Sequence, residues 1–214
     1  DMVQSYVLMY DQSGWMPTFP QFYGDFPAMI GFHSAALMWD TYQKGGTNFD
    51  VEKGYEGLKK NAMSGTMLPW RAGPMCALDS FYIENGWYPA LPDGAEETEP
   101  MVDGFEKRQA VAVTLEHSYD DWCLAQLARA LGKTEDYEYF SKRAQNYRNV
   151  YDANTGFMSP KMADGNWVKP FDPQLSGGIG SRMYFAENNA WIWNFSVMHD
   201  IPSLIEMMGG PEKF

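Results

Sequence analysis

The sequence predicts an all-α protein in which helices alternate with long loops and one small β-hairpin. Apolar residues recur at helical spacing through most of the chain, and glycines and prolines mark the predicted helix ends. The segments between the helices are long. Antiparallel helices joined by long loops suit an α/α toroid, whose loops form a pocket at one end. Periodicity alone does not exclude an ordinary helical bundle.

The first half of the chain contains three predicted helices. Residues 1–11 are amphipathic and are predicted to be the end of a helix. A second helix is predicted to begin at Asp25, where an acidic cap precedes a proline, and to end at the glycine pair that starts at Gly45. Asp50 is the predicted N-cap of a third helix, over residues 51–64.

The second half holds the longest predicted helix, over about residues 105–131, which Gly132 ends. Thr134 is the predicted N-cap of the next helix, over residues 135–151, with two acidic residues in its first turn. Shorter helices are predicted at about residues 187–197 and 202–208.

Two long loops separate these helices, over residues 65–104 and 152–184. The second is predicted to contain a hairpin that pairs Phe157-Met158 with Trp167-Val168 around Asp164-Gly165. It also contains a glycine-rich stretch, residues 176–180. Loops of this length in a compact helical domain are usually functional.

The acidic composition limits the classes of partner. The 214 residues carry a net charge of −12, with a pI of about 4.6. Nucleic acids and anionic membranes both favour basic surfaces, so neither is an expected partner. No apolar run approaches the roughly 18 residues of a membrane span, and no signal peptide is visible. Neutral substrates, and cations such as a metal ion, are compatible with this charge.

The cysteines and histidines do not form a metal motif. Cys76 and Cys123 lack metal-type spacing, and two cysteines do not decide whether a disulfide forms. Cys123 lies in an apolar helical pattern and is predicted to be a buried thiol. His33, His117 and His199 include no pair at positions i and i+4, so no metal site is predicted within this chain.

A short segment near the C-terminal end combines side chains that suit carbohydrate. Glu187, Asn188 and Asn189 are followed closely by Trp191 and Trp193. Amides and carboxylates match sugar hydroxyl groups, and indole faces cover the apolar side of a pyranose. Glycoside hydrolysis needs a carboxylic acid on the leaving oxygen, so Glu187 is the candidate general acid. A purely structural alternative is that Glu187 only serves the dipole of a helix.

The segment Tyr119-Asp120-Asp121-Trp122 repeats the combination of carboxylate and aromatic side chains. Adjacent residues of a helix point about 100° apart. At most one of the two aspartates therefore faces a given pocket, and the other is expected to be structural.

Taken together, several segments resemble glycoside hydrolase family 92, the calcium-dependent exo-acting α-mannosidases. They run in order from about residue 10 to the C-terminus, and this shared order is more specific than any single motif. The segments are Ser13-Gly14-Trp15-Met16-Pro17, Tyr23-Gly24-Asp25, Asp40 to Lys44-Gly45, Thr114-Leu115-Glu116, Tyr119-Asp120-Asp121-Trp122-Cys123, Arg143-Ala144-Gln145-Asn146-Tyr147, Thr155-Gly156-Phe157-Met158, Pro170-Phe171-Asp172-Pro173, Glu187-Asn188-Asn189-Ala190-Trp191, and His199-Asp200 to Met208-Gly209-Gly210.

The resemblance implies an (α/α)6 barrel preceded by a β-sandwich domain, and removal of terminal mannose from mannosides or N-glycans with inversion. It assigns the general acid to Glu187 and implies a Ca²⁺ ion that holds mannose O2 and O3. The family's base aspartates and most of its calcium ligands lie beyond the last helix of this chain. Residues 1–214 are therefore expected to be part of the barrel, truncated at both ends and inactive without the remainder of the polypeptide or another chain.

The resemblance also bears on the sugar pocket and the compartment. Phe32 precedes His33 where the family usually has a polar residue, which puts an apolar ring where sugar contacts are made. The resemblance implies that the protein is located in a periplasm or outside the cell, since polymeric mannosides are found there. The residues expected to bind substrate or line the mouth of the pocket are His33, Asp121, Trp122, Asn188, Asn189, Trp15 and Trp70.

Two other functions stay open at this point. A carbohydrate-binding toroid that has lost its chemistry would bind mannose without hydrolysing it, and Phe32 and the missing carboxylates motivate this alternative. A sugar isomerase or epimerase on an α/α toroid would rely on histidines. A single pocket that contains at least two of the three histidines would favour the isomerase.

Overall fold

The computed structural model describes residues 2–177 and 182–214, and helices dominate it. The α-helices are α1 Met2–Ser13, α2 Ser34–Gln43, α3 Val51–Ser64, α4 Ala77–Asn85, α5 Ala110–Ala130, α6 Thr134–Arg143, α7 Ala190–Trp193 and α8 Ile201–Met207. A 3₁₀-helix spans Asn146–Val150. Two antiparallel hairpins pair β1 Pro20–Gln21 with β2 Gly24–Asp25, and β3 Tyr151–Asp152 with β4 Phe157–Met158. The mainly helical class is confirmed, whereas closure into a barrel stays a prediction.

Helix α5 is the buried centre of the described chain. Fifteen of its 21 residues are buried, so it is covered on nearly every side, and the polar residues among them have to be paired in the interior. Helices α2, α3 and α6 and the 3₁₀-helix pack against it. Because α5 lies between the N-terminal helices and the later segments, it holds the parts of the chain together.

Two hydrophobic clusters meet along α5. Its first half packs with Tyr82, Tyr147 and Phe185. Its second half packs with Val7 and Met38 from the first two helices. The segment that leads to the candidate acid is therefore anchored on one end of α5 through Phe185.

Capping residues account for the helix ends that were predicted correctly. The carboxylate of Asp50 accepts the N–H of Lys53 at 3.1 Å, at the start of α3. Asp200 accepts the N–H of Ser203 at 3.4 Å, at the start of α8. Gly132 has φ +72°, a left-handed conformation that ends α5 at little steric cost.

The predicted start of α2 is wrong. Asp25 ends strand β2, and the helix begins nine residues later, at Ser34. Between them Met29 has φ 61° and Gly31 has φ 87°, so the backbone is left-handed where a helix would need right-handed residues. The Asp-Phe-Pro sequence is compatible with a helix start, but pairing with Pro20 and hydrogen bonds from Thr18 and Phe19 place Asp25 in a hairpin.

Left-handed residues also delay the start of α5. The predicted helix 105–131 begins at Ala110, because Lys107 and Gln109 have φ 58° and 46°. Helix α6, predicted to extend to residue 151, ends earlier and is followed by the 3₁₀-helix.

Two further helix starts differ from the prediction. Thr134 is the first residue of α6 rather than its N-cap, which is Lys133. The helix predicted at 187–197 is confined to Ala190–Trp193. It starts late because Glu187 has φ 56°, which a right-handed helix does not allow. Residues 178–180 of the predicted glycine-rich stretch lie outside the described residues.

Helix α4 lies in the predicted loop 65–104 and was missed, although the sequence contains its signals. The carboxylate of Asp79 accepts the N–H of Cys76 at 2.7 Å, which is one half of a capping box. Gly86, with φ 84°, ends the helix. The prolines and tryptophans on both sides favoured the prediction of a loop, so the nine-residue helix between them was missed.

The hairpin prediction found one strand correctly and its partner incorrectly. Phe157–Met158 is a strand, but it pairs with Tyr151–Asp152 and not with Trp167–Val168. Asp164-Gly165 does form a turn, closed by one isolated bridge between Lys161 and Trp167. The first hairpin, β1–β2, was not predicted, because strands of two residues carry no periodic signal.

Both cysteines are free thiols within the described chain. The prediction that Cys123 is buried is confirmed, and burial raises the pKa of its thiol well above the usual range. Burial also raises the pKa of Cys76 to about 11. Both thiols are therefore protonated at neutral pH and poorly reactive.

Candidate active site

A cleft of about 660 Å³ lies beside the candidate acid, Glu187. Four of its lining side chains are aromatic and two are carboxylates, a mixture that suits a sugar ring with its apolar faces and polar edge. The lining residues are Phe19, Gln21, Tyr23, Gly24, Asp25, Phe26, Ala28, Met29, Trp70 and Glu187.

Three non-glycine residues of this cleft have left-handed backbones. Met29, Trp70 and Glu187 have φ 61°, 59° and 56°. The N–H of Trp70 donates to the carbonyl of Met29 at 3.1 Å, which joins two of them. Each such conformation costs about 1–3 kcal/mol and persists only where the surroundings hold it. Backbone strain of this kind is typical of functional sites.

Backbone contacts hold Glu187 in this conformation. Its carbonyl accepts the hydroxyl of Ser176 at 2.6 Å, and the N–H of Gly177 donates to the carbonyl of Asn188 at 3.0 Å. A Cβ at Gly177 would lie 2.1 Å from the carbonyl oxygen of Phe185, so only glycine allows this close approach. The exposed Glu187 side chain therefore extends from a fixed backbone.

The two asparagines after Glu187 differ in environment. Asn188 is exposed, whereas Asn189 is half-buried as the N-cap residue of α7. The Nδ2 of Asn189 donates to the carbonyl of Gln174 at 3.3 Å. Its Oδ1 is buried and has no hydrogen-bond donor within the described residues. Because this oxygen is buried and Asn189 is not among the described lining residues of the cleft, a direct sugar contact by Asn189 stays a prediction.

The tryptophans of the same segment do not line the cleft. Trp193 is buried, and its indole N–H donates to the carbonyl of Ala186 at 2.9 Å. Trp191 is 56% exposed and packs edge-to-face on Phe157, with ring centroids 4.8 Å apart. The aromatic surfaces of the cleft come instead from Trp70 and the β1–β2 hairpin.

His33 lies in an acidic cluster on the side of α5. Its Nδ1 is 3.1 Å from Asp120 Oδ1, and its Nε2 is 3.1 Å from Glu116 Oε2. The negative charge of Asp120 contributes most to raising the pKa of His33, which reaches about 11. The half-exposed ring is therefore cationic at neutral pH. His33 is not among the described lining residues of the cleft.

Asp121 points the other way, into the protein. Its Oδ2 accepts the Nε–H of Arg143 at 2.9 Å, and both side chains are at most 7% exposed. Arg143 also donates to the carbonyl of Ala62 at 2.9 Å. The two aspartates thus lie on different faces of α5, as helical geometry requires. A sugar contact by Asp121 stays a prediction, and the burial of this side chain argues against it.

Trp122 and Trp15 also lie away from the described lining of the cleft. Trp122 stacks on Tyr119, with centroids 6.3 Å apart and an interplanar angle of 12°. The ammonium of Lys60 lies 4.6 Å from the centroid of the Trp15 ring. Of the predicted site residues, the structure brings together Glu187 and Trp70.

Phe32 does not put an apolar ring into the cleft. Its side chain is 6% exposed and packs edge-to-face on the buried His117, with centroids 4.7 Å apart. Burial lowers the pKa of His117 to about 4, so that ring is neutral. Phe32 therefore belongs to the interior of the described chain, and its effect on a sugar subsite stays a prediction.

The described residues do not form a metal site or a histidine pocket. No group of three His, Cys, Asp or Glu side chains in residues 2–177 and 182–214 is placed to hold a metal ion. None of the three histidines is among the described lining residues of the cleft. These residues therefore do not fit a calcium site by themselves. The described lining of the cleft also lacks the two histidines that the isomerase alternative requires.

A second cavity, of about 520 Å³, is lined by several charged residues. The lining residue Arg108 pairs with Glu97, and Arg182 pairs with Glu106, each at 2.6 Å. These charges largely neutralise one another. The cleft beside Glu187 is therefore the stronger candidate for chemistry, since it joins an exposed carboxyl group to aromatic faces.

Three aromatic lining residues of the cleft were missed: Phe19, Tyr23 and Phe26. The available signal was the density of aromatic residues over residues 19–26, a stretch that also contains one proline and one glycine. Such a stretch in a helical protein marks an aromatic turn rather than the start of a helix.

Comparison with known proteins supports a single family. Residues 1–214 match the glycosyl hydrolase family 92 catalytic domain. A curated protein described as an uncharacterized secreted glycosidase, from Arthroderma benhamiae, is 26% identical over 228 residues, which cover 96% of this chain and 28% of that protein.

Solved structures agree with this assignment. An inverting mannosidase of family GH92 from Bacteroides thetaiotaomicron is 34% identical, with a TM-score of 0.81, and the match covers 99% of this chain and 26% of that one. A GH92 α-mannosidase from the same species is 28% identical, with a TM-score of 0.78, and the match covers 98% and 25%. The chain thus spans about a quarter of the length of these relatives. It belongs to glycosyl hydrolase family 92 and forms part of that family's catalytic domain.

Proposed function

We propose that this chain is part of an exo-α-mannosidase that removes terminal mannose from mannosides or N-glycans, with Glu187 as the general acid. Family membership supports glycoside hydrolysis, and two similar solved structures are described as mannosidases. The observation that carries the assignment is the exposed Glu187 carboxyl group, held on a strained backbone beside an aromatic cleft.

In this proposal the terminal mannose occupies the cleft with an apolar face against Trp70 or Phe26. The protonated carboxyl group of Glu187 gives its proton to the glycosidic oxygen as the bond from that oxygen to C1 breaks.

We further propose that hydrolysis inverts the anomeric carbon. An inverting enzyme needs a second carboxylate about 6.5–9.5 Å from the acid, with room for a water molecule. Asp25 is the other carboxylate among the described lining residues, but it accepts the N–H groups of Thr18 and Phe19 at 2.9 and 2.8 Å. The base is therefore assigned to the part of the longer protein outside this chain. NMR spectra recorded during hydrolysis would show β-mannose first, and α-mannose first would contradict inversion.

Calcium assistance is also proposed, with its ligands mostly outside this chain. The described residues provide no ligand cluster for the ion. When bound, the ion would supply positive charge that orients two sugar hydroxyl groups.

A location outside the cytoplasm, periplasmic or extracellular, is part of the proposal. Its support is the relative from Arthroderma benhamiae, which is described as secreted. None of the helices in the described part of the chain is long and apolar enough to cross a membrane. Fractionation of the native host would test the location.

The test of the central proposal is Glu187→Gln in the intact protein. Turnover of an unactivated mannoside should fall by about 10²–10⁴-fold, the usual contribution of general acid catalysis. An aryl mannoside should lose much less, because its leaving group needs little protonation. The matched control is Glu206→Gln, which changes another exposed glutamate and should leave both rates unchanged. Equal losses on the two substrates would remove Glu187 from the acid role.

A further inference from the structure

The tip of the β1–β2 hairpin exposes two aromatic rings. Its loop consists of Phe22 and Tyr23, which are 96% and 98% exposed. The rings pack edge-to-face, with centroids 5.6 Å apart. Both rings are surrounded by water, so neither is stabilised by burial. A ligand that covers one of these rings would therefore be favoured.

The base of the hairpin is fixed even though its tip is exposed. Asp25 Oδ1 accepts the N–H groups of both Thr18 and Phe19, and Asp25 Oδ2 lies 3.2 Å from the Thr18 hydroxyl. The N–H of Phe26 donates to the carbonyl of Phe19 at 3.2 Å. These bonds close the hairpin and fix its backbone, which lowers the entropy cost of binding at the tip.

The two rings are placed differently with respect to the cleft. Tyr23 lines the same cleft as Glu187, whereas Phe22 is not among the described lining residues. Trp70 is half-buried and packs edge-to-face on Phe26, with centroids 6.2 Å apart. Tyr23, almost fully exposed, therefore lies at the outer end of an aromatic wall whose inner end is Trp70.

We propose that Tyr23 stacks on the saccharide of the leaving group, the sugar on the far side of the bond that Glu187 protonates. This inference rests on the proposed function. An enzyme that removes terminal residues holds the terminal sugar inside the cleft, so the remaining glycan must leave through its open end. Tyr23 supplies an aromatic face at that end, and such a face covers the apolar side of a pyranose. The hairpin thus selects for a glycan leaving group.

The experiment compares two substrates of the intact protein that differ only in the leaving group. One is the best hydrolysed of the α-1,2-, α-1,3- and α-1,6-linked mannobioses. The other is α-mannosyl fluoride, whose leaving group is too small to reach Tyr23. Tyr23→Ala should lower kcat/KM about tenfold on mannobiose and leave the fluoride unchanged. Tyr23→Phe should keep near-normal activity on both, because stacking needs the ring and not the hydroxyl group.

The matched control is Phe22→Ala, which removes the neighbouring exposed ring outside the described lining. It should change kcat/KM on either substrate by less than about twofold, as surface changes usually do. Equal losses for the two alanine variants would overturn the inference, since damage to the hairpin would then explain both. Equal losses of Tyr23→Ala on the two substrates, with a lower melting temperature, would mean that the ring packs against protein and would also overturn it.

The outcomes also separate this inference from the proposed function. An intact protein that hydrolyses neither mannobiose nor mannosyl fluoride would refute the function, and the inference with it. Hydrolysis of the fluoride but of no mannobiose would refute the inference alone. Calorimetric titration of the Glu187→Gln protein gives an independent readout. Tyr23→Ala in that background should weaken mannobiose binding about tenfold without changing the affinity for mannose.

Discussion

Asp120 holds His33 through one carboxylate oxygen and the adjoining backbone through the other. Its Oδ1 lies 3.1 Å from His33 Nδ1, and its Oδ2 accepts the N–H of Phe32 at 2.5 Å. Burial alone would raise the pKa of Asp120, but the charge and hydrogen bond of His33 lower it below its usual range. A charged pair therefore joins helix α5 to the residues that precede α2.

The first prediction concerns the titration of His33. In the intact protein, NMR should find the pKa of His33 far above its ordinary value of about 6.5, because the carboxylates raise it to about 11. Asp120→Asn should lower the pKa by removing its main cause. Glu116→Gln is the matched control and should lower it less, because the charge of Glu116 contributes least of the named causes. An ordinary pKa in the unsubstituted protein would contradict the pairing.

The same pair predicts a pH dependence of stability. The raised pKa of His33 adds stability that is fully present below about pH 6.5 and is lost as the pH rises through about 11. The lowered pKa of Asp120 adds stability that is lost in acid. The difference in unfolding free energy between the parent and Asp120→Asn should therefore be largest at intermediate pH. Urea unfolding at several pH values measures it, and a difference independent of pH would argue against a charged pair.

The buried ion pair of Asp121 and Arg143 is predicted to be structural. Asp121→Ala should destabilise the protein by about 3–5 kcal/mol, because it leaves the guanidinium buried without its partner. The double variant Asp121→Leu with Arg143→Met should recover much of this loss. Thermal or urea unfolding measures both. A raised KM with unchanged stability would instead restore the predicted sugar contact of Asp121.

Gly177 is predicted to be required for the position of Glu187. Gly177→Ala would place a Cβ 2.1 Å from the carbonyl oxygen of Phe185, and the backbone of one segment must move to accept it. A displacement of about 1 Å can cost 10²-fold in rate, so kcat should fall by about that factor. Gly104→Ala is the control, since a Cβ there meets no atom within 4 Å. Equal activity of the two variants would contradict the proposed role of Gly177.

Removal of calcium is predicted to abolish most activity of the intact protein. Under the proposed calcium assistance, dialysis against a chelator should reduce turnover of a mannoside at least about tenfold, because the ion would no longer orient two sugar hydroxyl groups. Addition of Ca²⁺ should restore the rate, and Mg²⁺ should restore it less, since Mg²⁺ demands a tighter octahedral site. Full turnover after verified removal of the metal would refute calcium assistance.

Local chemistry explains which elements could be predicted. Asp50 and Gly132 act on neighbouring residues, so helix ends at these positions follow from the sequence alone. The predicted partner of Phe157–Met158 was wrong, because glycine marks a turn on both sides of this strand, at Gly156 and Gly165, and the sequence does not rank the two turns. The left-handed conformations of Met29 and Lys107 are unfavourable locally, so the sequence around them predicts helix where the structure has none.

The sequence by itself determined the mainly helical class, the buried thiol of Cys123 and, through collinear motifs, the family. These features depend on composition, on periodicity and on the order of motifs along the chain, all of which can be read from the sequence without the fold. Only the tertiary structure decided that Glu187 shares a cleft with Trp70 and Tyr23, since these residues are far apart in the chain. It also decided that Asp121 is buried against Arg143. A helix places two adjacent aspartates on different faces, and only the packing of its neighbours determines which face is buried.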